Sequence, residues 1–353
     1  MPHSSSRKLN GRGVRLQPAN RFKPRSLERD GWVDLPPPPV PTTQFIPDHS
    51  RSILSTNDSP DLGFDISLNP YRGCEHGCAY CYARPTHEYL ELSAGLDFET
   101  RILFKPEAPR LLSRALASPR WKPQGVALSG VTDPYQPAES AHGITRECLK
   151  VLLQYRNPVA VITKGQGVLR DIDLLSELSR WQAASVTLSV TTLDAELSRR
   201  MEPRAATPEK RLDTIERLAR AGIPVGVMCA PVIPGLTDHE LPALIEASAE
   251  RGARFFGYTI LRLPHGVKDL FADWLRTQVP LQAEKVLNRL RALRGGRLND
   301  ARFGTRLTGE GPLAGQIAAL FKAGLKRAGV VNRAPVLSAA HFRPPAGRQM
   351  TLF

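Results

Sequence analysis

From about residue 64 the chain alternates short apolar runs with longer amphipathic stretches. Runs at 65–69, 100–104, 125–130, 159–163, 185–191, 223–230 and 254–260 have the length and β-branched content of strands. Stretches at 86–92, 106–117, 145–155, 168–180, 208–221, 238–251, 267–276 and 281–293 read as helices. The clearest helix has Thr207 at its N-cap position and Gly222 just past its end. Buried strands alternating with helices predict a parallel sheet covered by helices. Periodicity does not separate a barrel from an open sheet, and there is no internal repeat.

The pattern changes at both ends. Residues 1–60 read as an irregular segment rich in Arg, Pro and Ser, with a polyproline stretch from Pro36 to Pro39. Trp32, Phe45 and Ile46 are candidates to pin it onto the folded body. After about residue 296 the strand signal stops. A basic helix over 313–329, with Phe321 and Leu325 on one face, precedes an extended tail. The expected division is therefore 1–60, a core over 61–295, and an extension over 296–353.

Charge follows this division. Of the net +14, residues 1–30 carry eight Lys/Arg against two Asp/Glu and residues 297–353 nine against two, which leaves the middle nearly balanced. Basic ends suit a polyanion such as nucleic acid; solubilising tails are the other reading. No apolar run approaches membrane-spanning length, and the polar, basic N-terminus lacks the apolar centre of a secretory signal. Five cysteines, three of them in one loop, do not make a disulfide framework, and the expected location is the reducing cytoplasm.

Candidate chemistry centres on Asn69-Pro-Tyr-Arg-Gly-Cys-Glu-His-Gly-Cys-Ala-Tyr-Cys-Tyr82. Cys74, Cys78 and Cys81 are spaced Cys-x3-Cys-x2-Cys, so three thiolates can converge on one inorganic centre. A structural zinc site wants four closed ligands, and no fourth Cys or suitably spaced His follows nearby. A disulfide or zinc loop is the competing reading. Gly73 and Gly77 permit the turns of a loop that wraps a cluster. Polar residues recur at later strand ends, in Ser129-Gly-Val-Thr-Asp-Pro-Tyr135, in Thr163-Lys164-Gly165, at Ser189, and in Cys229-Ala-Pro231. Met201-Glu-Pro-Arg204 reads as a charge pair. Cys148 and Cys229 read as structural; if Ala230 faces the pocket, strand alternation turns Cys229 away.

The cysteine run, with Tyr80 just before its last Cys, resembles the signature of the radical S-adenosylmethionine (SAM) superfamily. The order of strand-end residues resembles one subgroup, spore photoproduct lyase and its "DNA repair photolyase" relatives, across roughly residues 64–265. This resemblance implies a partial (β/α)6 barrel with its chemistry at the C-terminal strand ends. It implies a [4Fe–4S] cluster on Cys74, Cys78 and Cys81, with one open iron for SAM, and SAM contacts at Tyr80, Tyr82, Thr132, Lys164, Ser189 and Ala230. The implied reaction uses a one-electron donor to cleave SAM to a 5′-deoxyadenosyl radical, acting on nucleic acid. In one place the sequence departs from the lyase: two residues before Thr132, where the lyase has a hydrogen-donating cysteine at the end of the third strand, it has Gly130. That speaks against the lyase's own reaction and leaves the catalytic hydrogen donor unassigned. A radical SAM enzyme acting on RNA or protein stays open, as does a non-enzymatic iron–sulfur protein. Separately, Gln349-Met-Thr-Leu-Phe353 resembles the peptide with which bacterial replication and repair proteins dock on the sliding clamp; a tail packed on its own domain is the alternative.

Overall fold

The computed structural model describes residues 11–23 and 42–344. Among these, ten strands lie at Gln44–Pro47 (β1), Leu54–Thr56 (β2), Ile66–Leu68 (β3), Tyr71–Arg72 (β4), Arg101–Phe104 (β5), Val126–Leu128 (β6), Val159–Thr163 (β7), Ala184–Ser189 (β8), Val225–Val232 (β9) and Phe255–Ile260 (β10). Helices lie at Asp97–Thr100 (α1), Ala108–Leu116 (α2), Ala138–His142 (α3), Ile144–Tyr155 (α4), Ile172–Arg180 (α5), Ala195–Met201 (α6), Pro208–Arg220 (α7), Leu241–Glu250 (α8), Val267–Gln278 (α9), Ala283–Leu293 (α10) and Gly311–Arg327 (α11).

Six strands form a parallel array in the order β10-β9-β8-β7-β6-β3, with β2 antiparallel on the outer side of β3. The edges β10 and β2 do not pair with each other, so the barrel is partial and open on one side. Alternation along the strands sets the layers. Val126, Leu128, Val159, Val161, Val186, Leu188, Val225 and Val227 join one core with α2, α4, α5, α7, α8 and α11. The intervening positions are small or polar: Ser67, Ala127, Ala160 and Ser185 share one register row across the sheet, and Thr187 and Ser189 follow on the same face of β8. Helices thus cover one face, and the other turns its small and polar side chains toward the inside of the partial barrel. A second core of α6, α9, α10, Val14 and the Ala79–Tyr80 stretch lies beside it.

Several expectations need correction. The strand predicted at 100–104 lies outside the barrel: β5 pairs with β1 and β4 in a separate three-stranded sheet. Gly130 therefore follows the second parallel strand of the barrel, β6, rather than the third. Residues 1–60 are not wholly irregular, since β1 and β2 join the two sheets. Phe45 lies in β1, edge-on to His142. The helix predicted at 86–92 is a 3-10 segment at Arg84–Leu90. Thr207 occupies its N-cap position without a side-chain capping bond. The helix α6 was not foreseen; Asp194 caps it by accepting from the Glu196 and Leu197 N–H groups (2.8 and 3.0 Å). The expected helix at 313–329 is α11, with Phe321 in the core and Gly324 set close against Pro242 and Ile245 of α8. Cys148 and Cys229 are buried in the main core, as expected. No helix among the described residues is long and apolar enough to cross a membrane. Trp32, the polyproline stretch and Gln349-Met-Thr-Leu-Phe353 lie outside the described residues.

Candidate active site

The cysteine loop starts from the C-terminal end of β3 and is held from behind by buried charge. Arg84, fully buried, donates to the Cys78 carbonyl from Nε and Nη2 (3.0 and 2.8 Å), to Gly95 O (2.9 Å) and to Glu99 (2.5 Å). Glu99 also accepts from Gly13 N–H (3.0 Å). Residue 13 must be glycine, because a Cβ there would fall 1.5 Å from the Gly77 carbonyl oxygen. Gly73 and Gly77 have φ of 80° and 67°, which L side chains rarely adopt. Cys74 N–H donates to Phe98 O and Ala79 N–H to Met201 O (both 2.9 Å). The loop backbone is thus tied to α1 and α6 while its three thiols remain free.

Those thiols fit an iron–sulfur cluster by their donor chemistry: three soft ligands in one compact loop, none in a disulfide. Burial pushes all three up from the ordinary thiol range, so they would hold iron as thiolates only by giving up their protons to it.

The ends of β7, β8 and β9 converge beside the loop. Lys164 Nζ lies 3.1 Å from Glu202, 3.2 Å from Thr191 Oγ1 and 3.3 Å from the Ala230 carbonyl. Thr191 donates to Glu202 (2.7 Å). Glu202 is fully buried and also takes hydrogen bonds from Tyr80 Oη and Arg211. Burial pushes its carboxyl up, but the charges of Arg211 and Lys164 and these hydrogen bonds outweigh burial and hold it well below the usual carboxylate range. Burial, reinforced by Cys78 and Glu202, keeps the Tyr80 phenol protonated and therefore a donor. One carboxylate faces two cations, so the cluster is left one positive charge in excess. Cys78 lies within electrostatic reach of Lys164, Glu202 and Arg211.

A third group braces the loop from β6. Thr132 Oγ1 donates to Gly73 O (2.7 Å), and Gln136 Nε2 donates to Gly73 O (3.0 Å) and Thr132 Oγ1 (2.9 Å). Gln136 Oε1 accepts from Glu75 N–H (2.9 Å). Asp133 accepts from Thr163 Oγ1 (2.6 Å) and Lys164 N–H (2.7 Å), with His76 Nδ1 3.4 Å away. Burial opposes its ionisation, yet His76 and these hydrogen bonds hold its carboxyl below the usual range. Gly165 allows the β7 end to approach this segment: a Cβ there would sit 2.5 Å from the Tyr135 carbonyl oxygen. Gly165→Ala is expected to push Lys164 away from Asp133 and cost about 1–3 kcal/mol. Urea unfolding measures the cost, and SAM titration should show weaker binding by the folded variant.

The structure brings Tyr80, Lys164, Ala230 and the cysteine loop together. Ser189 is on the inner face of β8, opposite the main core, and its carbonyl accepts from Arg211 (2.9 Å). Thr132 uses its hydroxyl on the loop backbone. Tyr82 is half exposed and donates from Oη to Gly130 O. The charge pair expected between Glu202 and Arg204 does not form. Glu202 turns inward to Lys164 and Arg211, and Arg204 pairs with Glu75 (2.9 Å). Sequence reasoning missed Thr191, Arg211 and the buried role of Glu202. Asp194 signalled the start of α6, but nothing local marked where its far end meets Arg211.

The family model for the Radical SAM superfamily matches residues 68–247. An uncharacterized protein of Mycobacterium tuberculosis (strain ATCC 25618 / H37Rv) is 37% identical over 224 residues, which cover 62% of this chain and 65% of that protein. The chain thus spans slightly less than two thirds of the length of this relative. The Radical SAM Nalpha-GlyT isomerase of Pseudomonas phage M6 is 24% identical over 176 residues, 50% of this chain and 35% of that protein. Among solved structures, spore photoproduct lyase with bound AdoMet and dinucleoside spore photoproduct superposes with a TM-score of 0.55 at 14% identity, covering 76% of each chain. That likeness shows a shared fold.

Proposed function

Since the chain belongs to the radical SAM superfamily, whose members carry a [4Fe–4S] cluster and SAM, we propose that Cys74, Cys78 and Cys81 hold the cluster and that nucleic acid is the substrate. The reading is carried by one observation: three free thiols sit beside a cationic Lys164–Glu202–Arg211 group at the C-terminal ends of parallel strands. With cluster and SAM bound, the site supplies a carbon radical that abstracts hydrogen. The chain's own residues do the rest. Lys164 offers positive charge to the carboxylate of SAM, and Glu202 keeps that ammonium in place. Tyr80 and Tyr82 flank Cys81 and present ring surface beside the ligand; Ser189 and the small side chain of Ala230 line the inner face. Thr132 and Gln136 both donate to the Gly73 carbonyl and so hold the loop just before Cys74. Small side chains on the inner sheet face leave room for a substrate group out of bulk water.

Nucleic acid as substrate is supported by the basic ends of the chain and by the dinucleoside photoproduct bound in the structurally similar lyase. Gly130, lacking a thiol, leaves the final hydrogen donor to another group or to the 5′-deoxyadenosine formed from SAM. Free thiols in this loop suit a reducing cytoplasm with a one-electron donor. The test is anaerobic reconstitution with iron and sulfide, reduction, and assay of methionine and 5′-deoxyadenosine. Deuterated single-stranded and duplex DNA are then offered in turn. Deuterium in 5′-deoxyadenosine from DNA bears the reading out. A protein with a full cluster that never cleaves SAM overturns it, and transfer from RNA or peptide but not from DNA redirects the substrate assignment.

A further inference from the structure

The segment between α10 and α11 spans the opening that the partial barrel leaves. At one end it is joined to the β10 edge: Ile260 N–H donates to Leu307 O (2.7 Å), and buried Arg294 fastens the Leu261 and Arg306 carbonyls together (3.0 and 2.7 Å). At the other end Arg306 donates to Asp61 (2.5 Å) and to Ser59, and Gly304 N–H takes the second Asp61 oxygen (2.7 Å). Ser59 and Asp61 belong to the connection between β2 and β3, on the opposite edge of the sheet. The extension therefore links the two open edges.

Arg262 sits between this bridge and the cysteine loop. Its guanidinium is 5.9 Å from the centroid of the Tyr82 ring. It forms no ion pair among the described residues, and its Nε is shielded from solvent without a hydrogen-bond partner. The nearby carboxylate, Asp61, has both oxygens engaged by Arg306 and Gly304. Burial and the like charge of Arg306 outweigh the support of Tyr82 and Asp61 and act against the Arg262 cation, and the charge of an incoming anion offsets both. Tyr82 is 51% exposed; Phe303, on the bridge, is 57% exposed and backed by the Arg306 guanidinium 4.4 Å from its centroid. A guanidinium with no ion pair among the described residues, beside one exposed ring and next to a bridge that carries another, is the composition of a single-strand nucleic-acid site, where charge tracks phosphates and rings stack bases.

We propose that Arg262 anchors one backbone phosphate of a single-stranded or locally unpaired nucleic acid at this opening, with a neighbouring base against Phe303. This rests on the nucleic-acid reading above and adds where the strand is held. An unpaired strand fits because a group inside a strand-end cavity reaches base atoms only once the base leaves its stack.

The test uses the full chain with its cluster reconstituted, kept anaerobic, and a fluorescent single-stranded oligodeoxynucleotide read by anisotropy across a salt series. Arg262→Gln is expected to weaken binding roughly 5- to 10-fold and to lower the slope of log affinity against log salt by about 0.7, the value of one single-strand phosphate contact. Arg262→Lys is expected to keep the slope while losing part of the affinity, since the charge stays and the planar fork does not. Phe303→Ala is expected to weaken binding by about 5-fold or more with the slope unchanged. Equal affinity and slope in wild type and Arg262→Gln, with matching circular dichroism, overturn the inference while the nucleic-acid reading stands. Weakened SAM binding in equilibrium dialysis with unchanged oligonucleotide binding also overturns it, assigning Arg262 to the SAM carboxylate instead. A wild type that cleaves SAM but binds no oligonucleotide overturns the nucleic-acid reading itself.

Discussion

Cys78→Ala is expected to give a folded protein without brown colour and without SAM cleavage. Changes to groups that merely support metal ligands cost 10- to 100-fold, so loss of a ligand itself should lower methionine formation by more than about 100-fold. The fold should persist. The loop backbone is held by Arg84, Glu99, Thr132 and Gln136, and none of these bonds uses a thiol. Burial of the thiol and its replacement by a smaller methyl cost little, on the order of 1 kcal/mol. Iron and sulfide content, visible absorbance and methionine release check this together. Cys148→Ala is the control, because that thiol lies in α4 within the main core and should leave cluster content intact. Full iron content with normal SAM cleavage in Cys78→Ala would remove the cysteine from the ligand set.

Glu202→Gln should cause the largest loss of stability. Its carboxylate is the counterion of two cations, Arg211 and Lys164, and the acceptor for Tyr80 and Thr191. Neutralising it leaves the buried guanidinium of Arg211 without compensation, a change that costs about 3–5 kcal/mol. The amide would also present N–H groups to donors, leaving polar atoms unpaired. Chemical denaturation should show the midpoint falling without a change in slope. The sign with pH follows from the depressed carboxyl. Its contribution is present above the ordinary Glu range near 4.5 and is lost as pH falls toward the folded value. Wild type should therefore lose stability on acidification through this window by more than Glu202→Gln does. Parallel acid titrations of the two proteins would refute the assignment of Glu202 as the ionised centre of the cluster.

These two predictions differ in how visible their residues are in the chain. Cys78 is found by counting, because three ligands for one centre must lie close in sequence when a single loop supplies them. Glu202 looks like one more acid beside an arginine, and the nearest arginine in sequence, Arg204, is not its partner. Its role depends on α6 carrying it into the interior and on Arg211 arriving from α7, and no local pattern encodes the meeting of two helix ends.

The sequence alone determined the alternation of strands and helices, because burial on one face imposes a period that can be read residue by residue. It also determined the cysteine loop, the polar residues at strand ends and the outward turn of Cys229, since these follow from spacing and from the two-residue repeat of a strand. Only the tertiary structure decided that β5 leaves the barrel, which depends on its pairing with the distant β1. It alone decided that Glu202 is the buried hub of the site. It alone placed Arg262 against Tyr82 and beside the bridge that carries Arg306 and Phe303, because loop closure over long separations is set by packing and by backbone hydrogen bonds that any residue can make.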